Sequence, residues 1–298
     1  DQLARYIADY KFMPGGRYLW YAGRDARFFN NCYLLRLEED SREEWAGVTE
    51  RAMSCLMTGG GIGVDISICR PSGRRLRRTG GVASGPIPLL FTLNEVGRNV
   101  MQGGSRRSAL YGSLNWQHED ASDLLHTKNW HDMYLGTQKE YTISDMKRLN
   151  FNYPAPLDMM NISLNYDDAW LRDKNTDTFM KNCHQAMMTG EPGFSFNFGE
   201  KSNETLRNAC TEITSEDDSD ICCLGSVNMA NISTIDEFKA AVRLASPLNL
   251  AFHTGGVRYV GVSGVGTGPN HTVGHVGVSV DRAPFCADLK SSLRFHCG

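Results

Sequence analysis

The chain has 298 residues, of which 41% are hydrophobic and 22% are charged, a composition typical of a globular protein with a sizeable core. Its formal net charge of -3 excludes the strongly basic surface of a nucleic-acid coat protein. A phosphate group of a ligand would therefore have to be bound by a local cluster of basic residues. The sequence contains neither a run of about 20 apolar residues nor a secretory signal. We therefore predict a cytoplasmic protein that binds neither membranes nor nucleic acid.

The spacing of apolar residues predicts helices and strands that alternate along the chain. The helices are predicted over residues 1–11, 43–58, 86–101, 177–190 and 234–246, and the strands over residues 31–37, 62–67, 110–116, 159–165, 193–198 and 224–232. Thr234, ahead of Asp236 and Glu237, is predicted to cap the last of these helices. This alternation favours a mixed α/β domain.

The composition changes after about residue 250, where Gly, Val and His become frequent. His271 and His275 have a spacing that would suit a metal only on a helix, and the segment "HTVGH" is β-branched and interrupted by glycine. We therefore predict no metal site. The chain is divided into an α/β domain, residues 1–250, and an atypical tail of unknown structure, residues 251–298.

Nine cysteines are many for a cytoplasmic protein, and an odd number cannot all pair. Most are expected to be small buried residues of the core. A minority of the cysteines could be redox-active, and these must be recognised from the residues that surround each cysteine.

Two glycine-rich segments could bring the backbone close to a ligand. The first, "TGGGIGVDISICRPSG", contains Gly60 and Gly61, and the second, "MQGGSRRSALYG", contains Gly103, Gly104 and Arg106. Arginines between glycines favour a nucleotide ligand, because guanidinium groups bind phosphate and stack on bases. A tight turn and a solvated basic face remain the alternatives for the two segments.

The segment "RNACTEI" places a carboxamide, a thiol and a carboxylate at alternate positions, Asn208, Cys210 and Glu212. In an extended chain these three side chains would share one face. The carboxylate could act as a base toward a bound hydroxyl, and it would raise the pKa of the neighbouring thiol. The pattern therefore favours chemistry of a neutral thiol, such as hydrogen-atom abstraction by a thiyl radical.

Seven segments, in this order, resemble those of the catalytic (large) subunit of ribonucleotide reductases. They are "FMPGGR", "FNNCYL", "GGGIGVDISICRPSG", "MQGGSRRSAL", "TGEPGFSF", "NACTEI" and "CCLGSVN". The resemblance implies a fold similar to the first half of the family's ten-stranded α/β barrel, with an active-site finger loop. It also implies reduction of ribonucleotides to 2′-deoxyribonucleotides, under allosteric control by nucleotides.

The resemblance implies roles for five residues at the reaction centre. Cys210 would be the thiyl radical that removes the 3′ hydrogen of the ribose, Glu212 the base on the 3′ hydroxyl, and Asn208 a ligand of the same region. Cys32 and Cys222 would be the thiol pair that delivers two electrons and closes as a disulfide. Cys223 occupies a variable position of the family pattern, so Cys222 is preferred.

Further residues are expected, by resemblance, to bind the substrate or an effector nucleotide. The substrate-binding residues would be Asn31, Gly60, Gly61 and Arg106, and the effector-binding residues would be Asp40, Arg70, Gly103 and Gly104. For Asp40, an acid stabilising a helix N-terminus is an alternative that could coexist with effector binding.

The resemblance also implies a cofactor and partners. "KFMPGGR", "EPGFSF" and "CCLGSVNM" look closer to the adenosylcobalamin-dependent enzymes than to those with a separate radical-generating subunit, which remains the alternative. The expected partners are a ribonucleotide substrate, a dNTP or ATP effector, a thioredoxin- or glutaredoxin-type reductant and a second copy in a homodimer. Because the tail resembles nothing in the family, a catalytically inactive nucleotide-binding fragment and a plain dithiol protein are competing interpretations.

Overall fold

The computed structural model describes residues 2–25, 28–76, 80–100, 107–137, 140–173, 176–254 and 274–279. The chain divides into two compact units. The terminal unit comprises residues 1–31, 222–258 and 269–298, and the central unit comprises residues 32–221 and 259–268.

The described helices and strands are numbered in chain order. The helices are α1 (Gln2–Ala8), α2 (Gly16–Tyr21), α3 (Arg42–Thr58), α4 (Ile87–Asn99), α5 (Ala121–His126), α6 (Ile143–Leu149), α7 (Asp168–Asp173), α8 (Thr176–Thr189) and α9 (Ile235–Thr254). The strands are β1 (Phe12–Pro14), β2 (Cys32–Arg36), β3 (Gly61–Asp65), β4 (Leu110–Asn115), β5 (Tyr134–Leu135), β6 (Tyr141–Thr142), β7 (Met160–Asp167), β8 (Gly193–Asn197), β9 (Leu206–Arg207), β10 (Thr214–Ser215), β11 (Asp220–Asn228) and β12 (Gly274–Ser279).

The central unit is built on a parallel sheet with the strand order β2-β3-β4-β7-β8. Cys32 lies opposite Gly61, Ile62 opposite Leu110, and Leu110 opposite Met160. Parallel neighbours need crossover connections, which α3 and α4 provide between β2, β3 and β4. The first residues of the five strands therefore share one edge of the sheet, called the amino edge below.

The two faces of this sheet differ in polarity. Along β7, Ile162 and Leu164 belong to the apolar core against the helices, whereas Ser163 and Asn165 point the other way. The residues of this second face are nevertheless almost completely buried; they include Ser113, Ser163, Asn165, Ser195 and Asn197. A buried polar face needs a polar cover, because unpaired polar groups are costly to bury.

Local sequence signals explain where α3 begins and ends. Ser41 caps the helix by accepting a hydrogen bond from the backbone N–H of Glu44 at 3.1 Å. Gly59 ends it at a φ of 96°, a left-handed conformation that glycine adopts without strain. The predicted helix over residues 43–58 is thus confirmed, as is the predicted cap of α9, where Thr234 Oγ1 accepts from the Glu237 N–H at 3.2 Å.

The terminal unit contains β1, which pairs antiparallel with β11, and β12, which pairs parallel with it. Its core joins Phe12 and Val227 to Ile232 and Ala241, with α1 and α9 packed against them. Helix α9 extends to Thr254, beyond the predicted end at residue 246 and across the domain boundary that we placed at residue 250. That boundary stays a prediction. No helix in the described ranges has the length and hydrophobicity to cross a membrane.

Candidate active site

A finger hairpin, residues 206–215, carries the three residues singled out in "RNACTEI". β9 pairs antiparallel with β10, with Arg207 opposite Thr214, and residues 208–213 form the turn between them. Thr211 has a φ of 70° within this turn. The expectation of an extended segment was wrong, because the pairing of Arg207 with Thr214 requires the chain to reverse. Asn208 is consequently fully buried, whereas Cys210 and Glu212 are exposed.

The finger hairpin lies directly against two glycines of β3. A Cβ atom on Gly63 would stand 1.7 Å from the carbonyl oxygen of Arg207, and one on Gly61 would stand 3.0 Å from the Cβ of Ala209. Only residues without side chains permit this approach of hairpin backbone to strand. Since Gly61 is the register partner of Cys32, the turn reaches the amino edge beside the strand that begins with Cys32.

Hydrogen bonds from both sides hold the turn in place. Asn161, the second residue of β7, donates from Nδ2 to the carbonyl of Ala209 at 3.3 Å. Asn208 Oδ1 accepts from the Ile213 N–H at 3.1 Å, and the Asn208 carbonyl accepts from the Thr211 N–H at 3.0 Å. Within the described chain, the buried Nδ2 of Asn208 has no hydrogen-bond partner. Leaving a buried donor of this kind unsatisfied costs about 1–3 kcal/mol.

The two predicted redox cysteines are both buried. Cys32 opens β2 in the central unit and is 4% exposed, and Cys222 lies in β11 of the terminal unit and is 0% exposed. Asn31, the residue before Cys32, donates its backbone N–H to the Cys222 carbonyl at 2.8 Å, and its Oδ1 accepts from the Leu224 N–H at 3.1 Å. The pairing of Cys32 with Cys222 and the substrate-binding role of Asn31 stay predictions.

Two other cysteines have the properties of core residues. Burial raises the pKa of the Cys55 thiol, on α3, and of the Cys69 thiol, after β3, to about 12 each. Both are therefore neutral thiols at physiological pH, a state that disfavours thiolate exchange. They match the expectation that most cysteines of the chain serve packing.

The predicted substrate glycines face protein groups in this structure. The space that a Cβ on Gly60 would need is filled by the ring of Tyr33, at 2.3 Å, and Gly61 faces Ala209 and the Ala109 carbonyl. Their role toward a nucleotide stays a prediction. Arg106, Gly103 and Gly104 lie outside the described residues.

The predicted effector residues Asp40 and Arg70 are in direct contact with each other. Asp40 forms an ion pair with the Arg70 guanidinium and accepts from the Arg70 backbone N–H at 2.9 Å, while the Asp40 carbonyl accepts from Arg70 Nη2 at 2.9 Å. Asp40 follows β2 and Arg70 follows β3, so both lie beyond the carboxyl ends of these strands. The structure thus brings them together at the edge of the sheet opposite Cys32 and Gly61.

A cavity of about 600 Å³ opens at the amino ends of β4 and β7. Its lining includes Arg107, Lys128, Trp130, Asp158, Asn161 and Glu191. Lys128 is 9% exposed and forms an ion pair with Glu191. Burial lowers the pKa of Lys128 and raises that of Glu191, and the opposite charge of the partner counters each shift. Asn161 belongs both to this lining and to the support of the finger turn.

Sequence reasoning missed several of these groups. Lys128 and Asn161 stand in no recognisable motif, and Arg207 was quoted only as the residue before Asn208. Glu191 lies within "TGEPGFSF", which the resemblance singled out without assigning this carboxylate a role.

Asp158, with a side chain 2% exposed, should make stability depend on pH in acid. Burial alone would raise the pKa of its carboxyl group, but hydrogen bonds and charge from Arg98 and Lys147 outweigh burial and lower it. A lowered pKa in the folded state contributes stability above the ordinary value of about 4, and this contribution is lost as the pH falls through the folded pKa. We expect Asp158→Asn to cost about 1–3 kcal/mol near pH 7 and less near pH 3, measured by urea unfolding.

Asp177→Asn serves as the control, because Asp177 is exposed on α8 and its ion pair with Lys181 is exposed as well. Its effect should stay below about 0.5 kcal/mol. A loss in Asp158→Asn that is equal at both pH values would contradict the assignment.

Comparison with known proteins shows which enzymes this chain is similar to. The sequence profile of the ribonucleotide reductase barrel domain matches residues 30–134. The chain is similar to ribonucleotide reductase large subunits. A vitamin B12-dependent ribonucleoside-diphosphate reductase of Mycobacterium tuberculosis (strain CDC 1551 / Oshkosh) is 28% identical over 172 residues, which cover 58% of this chain and 22% of that protein. The ribonucleoside-diphosphate reductase subunit alpha of Chlamydia muridarum is 23% identical over 290 residues, 82% of this chain and 27% of that protein.

The fold is shared with a solved ribonucleotide reductase. The class Id ribonucleotide reductase alpha subunit of Actinobacillus ureae superposes with a TM-score of 0.56 at 19% identity, over 76% of this chain and 41% of that chain. The prediction of an α/β fold resembling the first half of the ribonucleotide reductase barrel is thus confirmed. The chain spans about a quarter of the length of these two curated ribonucleotide reductases.

Proposed function

We propose that this chain reduces ribonucleotides to 2′-deoxyribonucleotides by thiyl-radical chemistry centred on Cys210. The observation that carries the proposal is the finger hairpin, whose turn is held against Gly61 and Gly63 at the amino edge, beside the strand that begins with Cys32. A thiol presented on a turn, with a carboxylate two residues on and a buried amide donor two residues before, is the set of groups that the chemistry requires.

The proposed steps balance in atoms and electrons. The Cys210 thiyl takes the 3′ hydrogen atom of the ribose, Glu212 accepts the proton of the 3′ hydroxyl, and the 2′ hydroxyl leaves as water. The thiols of Cys32 and Cys222 supply two electrons and two protons, one proton to the departing water and one to C2′, and become a disulfide. Glu212 then returns its proton to the 3′ oxygen, and Cys210 returns a hydrogen atom to C3′, which regenerates the thiyl and leaves a deoxyribose. The backbone link between Asn31 and Cys222 supports this pairing.

The cavity beside the finger turn suits a nucleotide. Its volume of about 600 Å³ lies within the range of small-molecule sites, roughly 300–1,000 Å³. Arg107 supplies positive charge for phosphate, and Trp130 supplies an aromatic surface for a base. The shared residue Asn161 connects this cavity to the turn that carries Cys210.

Adenosylcobalamin is the cofactor we propose, and it would supply the initial radical. The exposure of the Cys210 side chain fits a radical source that approaches from outside the finger hairpin. The name of the M. tuberculosis relative favours adenosylcobalamin over a separate radical-generating subunit. No residue of this chain needs to bind cobalt in this proposal, and the described residues contain no cluster of three metal-binding side chains.

Regulation and partners complete the proposal. Asp40 and Arg70 would bind a dNTP or ATP effector at the edge of the sheet opposite the finger turn, as an allosteric site must be distinct from the site it controls. A thioredoxin- or glutaredoxin-type protein would reduce the Cys32–Cys222 disulfide, and a homodimer in the cytoplasm would be the working form.

The test is a single-turnover assay of the full chain with a ribonucleotide, adenosylcobalamin and dithiothreitol, in which deoxynucleotide is measured by mass spectrometry. We expect product only when adenosylcobalamin is present. Nucleotide binding without product, measured by equilibrium dialysis, would instead support the inactive nucleotide-binding fragment. Absence of both would refute the assignment of the cavity as well.

A further inference from the structure

Arg207 connects the finger hairpin to the wall of the sheet through four hydrogen bonds. Its Nε donates to Ser195 Oγ, and its Nη2 donates to the Phe196 carbonyl and to Asn197 Oδ1, each at 3.1 Å. Its Nη1 donates to the Thr211 carbonyl at 3.3 Å. One planar group thus joins β8 to the turn of the hairpin.

The contact with Thr211 is the one that concerns the reaction. Thr211 stands between Cys210 and Glu212 and has a φ of 70°, a conformation that residues with a Cβ rarely adopt. A non-glycine residue in this region persists only where its surroundings hold it. Arg207 donates a hydrogen bond to the carbonyl of Thr211, and its other nitrogens donate to groups of strand β8.

The hydrogen-bond acceptors of Arg207 are polar and uncharged. The four acceptors are a hydroxyl, an amide oxygen and two backbone carbonyls. Burial lowers the pKa of the guanidinium, while Tyr111 and Glu204 oppose this shift. An arginine side chain stays charged in proteins. Its hydrogen bonds are therefore charge-assisted, which makes them stronger than neutral ones.

We infer that Arg207 is a positioning residue, which locks the finger turn so that Cys210 and Glu212 keep a fixed relation to each other. Its effect on the turn is independent of any reaction, and only its effect on turnover rests on the proposed function. A lysine cannot replace it, because an ammonium group is a point donor and cannot span Ser195, Asn197 and Thr211 as a planar fork does.

Hydrogen exchange of the full chain tests the lock without reference to activity. In Arg207→Ala, the amides of Thr211 and Ile213 should exchange about 10- to 100-fold faster, while the amides of β3 and β7 keep their rates. Arg207→Lys should behave like Arg207→Ala, and Arg172→Ala, at an exposed arginine of α7, should change nothing. Unchanged exchange in Arg207→Ala, or full protection in Arg207→Lys, would overturn the inference.

Turnover provides the second readout. We expect kcat to fall about 100-fold in Arg207→Ala with KM nearly unchanged, because a displacement of about 1 Å is enough for such a loss. Millimolar guanidinium added to Arg207→Ala should restore part of kcat, an effect that a general loss of folding would not show.

If Arg207→Ala does not fold, Ser195→Ala removes a single acceptor and should show the same changes at smaller size. Wild-type exchange and kcat in a folded Ser195→Ala would count against the lock. If no variant and not even the wild type turns over, the proposed function fails while the exchange result still decides the role of Arg207.

Discussion

Replacing Cys210 with alanine is expected to abolish deoxynucleotide formation, a loss of at least about 10³-fold in single-turnover rate. The reason is chemical, because no other thiol lies on the turn of residues 208–213, and without a sulfur there the 3′ hydrogen has no acceptor. The substitution should leave folding intact, since the Cys210 side chain is exposed and its loss opens no core cavity.

Cys223→Ala is the matched control for Cys210→Ala, since it removes the same side chain at a position that the family pattern leaves variable. It should retain turnover within about twofold of wild type, because the proposed chemistry assigns Cys223 no role. Nucleotide binding, measured by equilibrium dialysis, should be equal in both variants and in wild type. Product from Cys210→Ala at the wild-type rate would refute the radical assignment, and loss of turnover in Cys223→Ala but not in Cys210→Ala would reassign the reactive thiol.

Gly63→Ala is expected to displace the finger hairpin. The added Cβ would stand 1.7 Å from the carbonyl oxygen and 2.8 Å from the carbonyl carbon of Arg207, which are backbone atoms and cannot rotate aside. Overpacking of this kind costs about 1–3 kcal/mol or more. We expect a loss of that size in the free energy of unfolding, measured with urea, together with a fall of about 100-fold or more in turnover.

Gly47→Ala is the control for the glycine substitution. Gly47 lies within α3, and a Cβ there would meet nothing within 4 Å, so the variant should gain about 0.5–1 kcal/mol from improved helix propensity. Turnover should be unchanged. A Gly63→Ala protein with wild-type stability and turnover would show that the hairpin does not need its close approach to β3.

Helices and strands with a regular spacing of apolar residues could be predicted from the sequence. Elements that form only through contacts with distant parts of the chain could not. Helix α3 and strands β2 and β4 follow from apolar spacing, which a single segment displays on its own. The finger hairpin consists of two strands of two residues each, joined by a turn without glycine or proline, so its sequence carries only the weak turn signal of Asn208. The alternation in "RNACTEI" was therefore interpreted as an extended face.

The glycines of β3 show that the sequence can indicate a close approach without naming the neighbour. Gly61 was predicted to let a ligand approach the backbone, and close approach is indeed what its position requires. The neighbour in the structure is Ala209 of the finger hairpin, which lies far away in the sequence. Likewise, only the folded chain shows that Ser195 and Asn197 of β8 are buried and bonded to Arg207 of the finger hairpin.

The position of the finger hairpin in the chain has a consequence for the order of assembly. The hairpin lies on strands that precede it, and just beyond it Asp218 Oδ1 accepts from the backbone N–H of Arg36, a residue 182 positions earlier. Contacts between residues so distant in sequence close long loops. They stabilise the fold only after the entropy cost of closing those loops has been met. The surface that receives the hairpin does not exist until β3, β4, β7 and β8 have paired. Cys210 should therefore be among the last residues of the central unit to reach its place, so that a sheet which misfolds never presents a reactive thiol in working position.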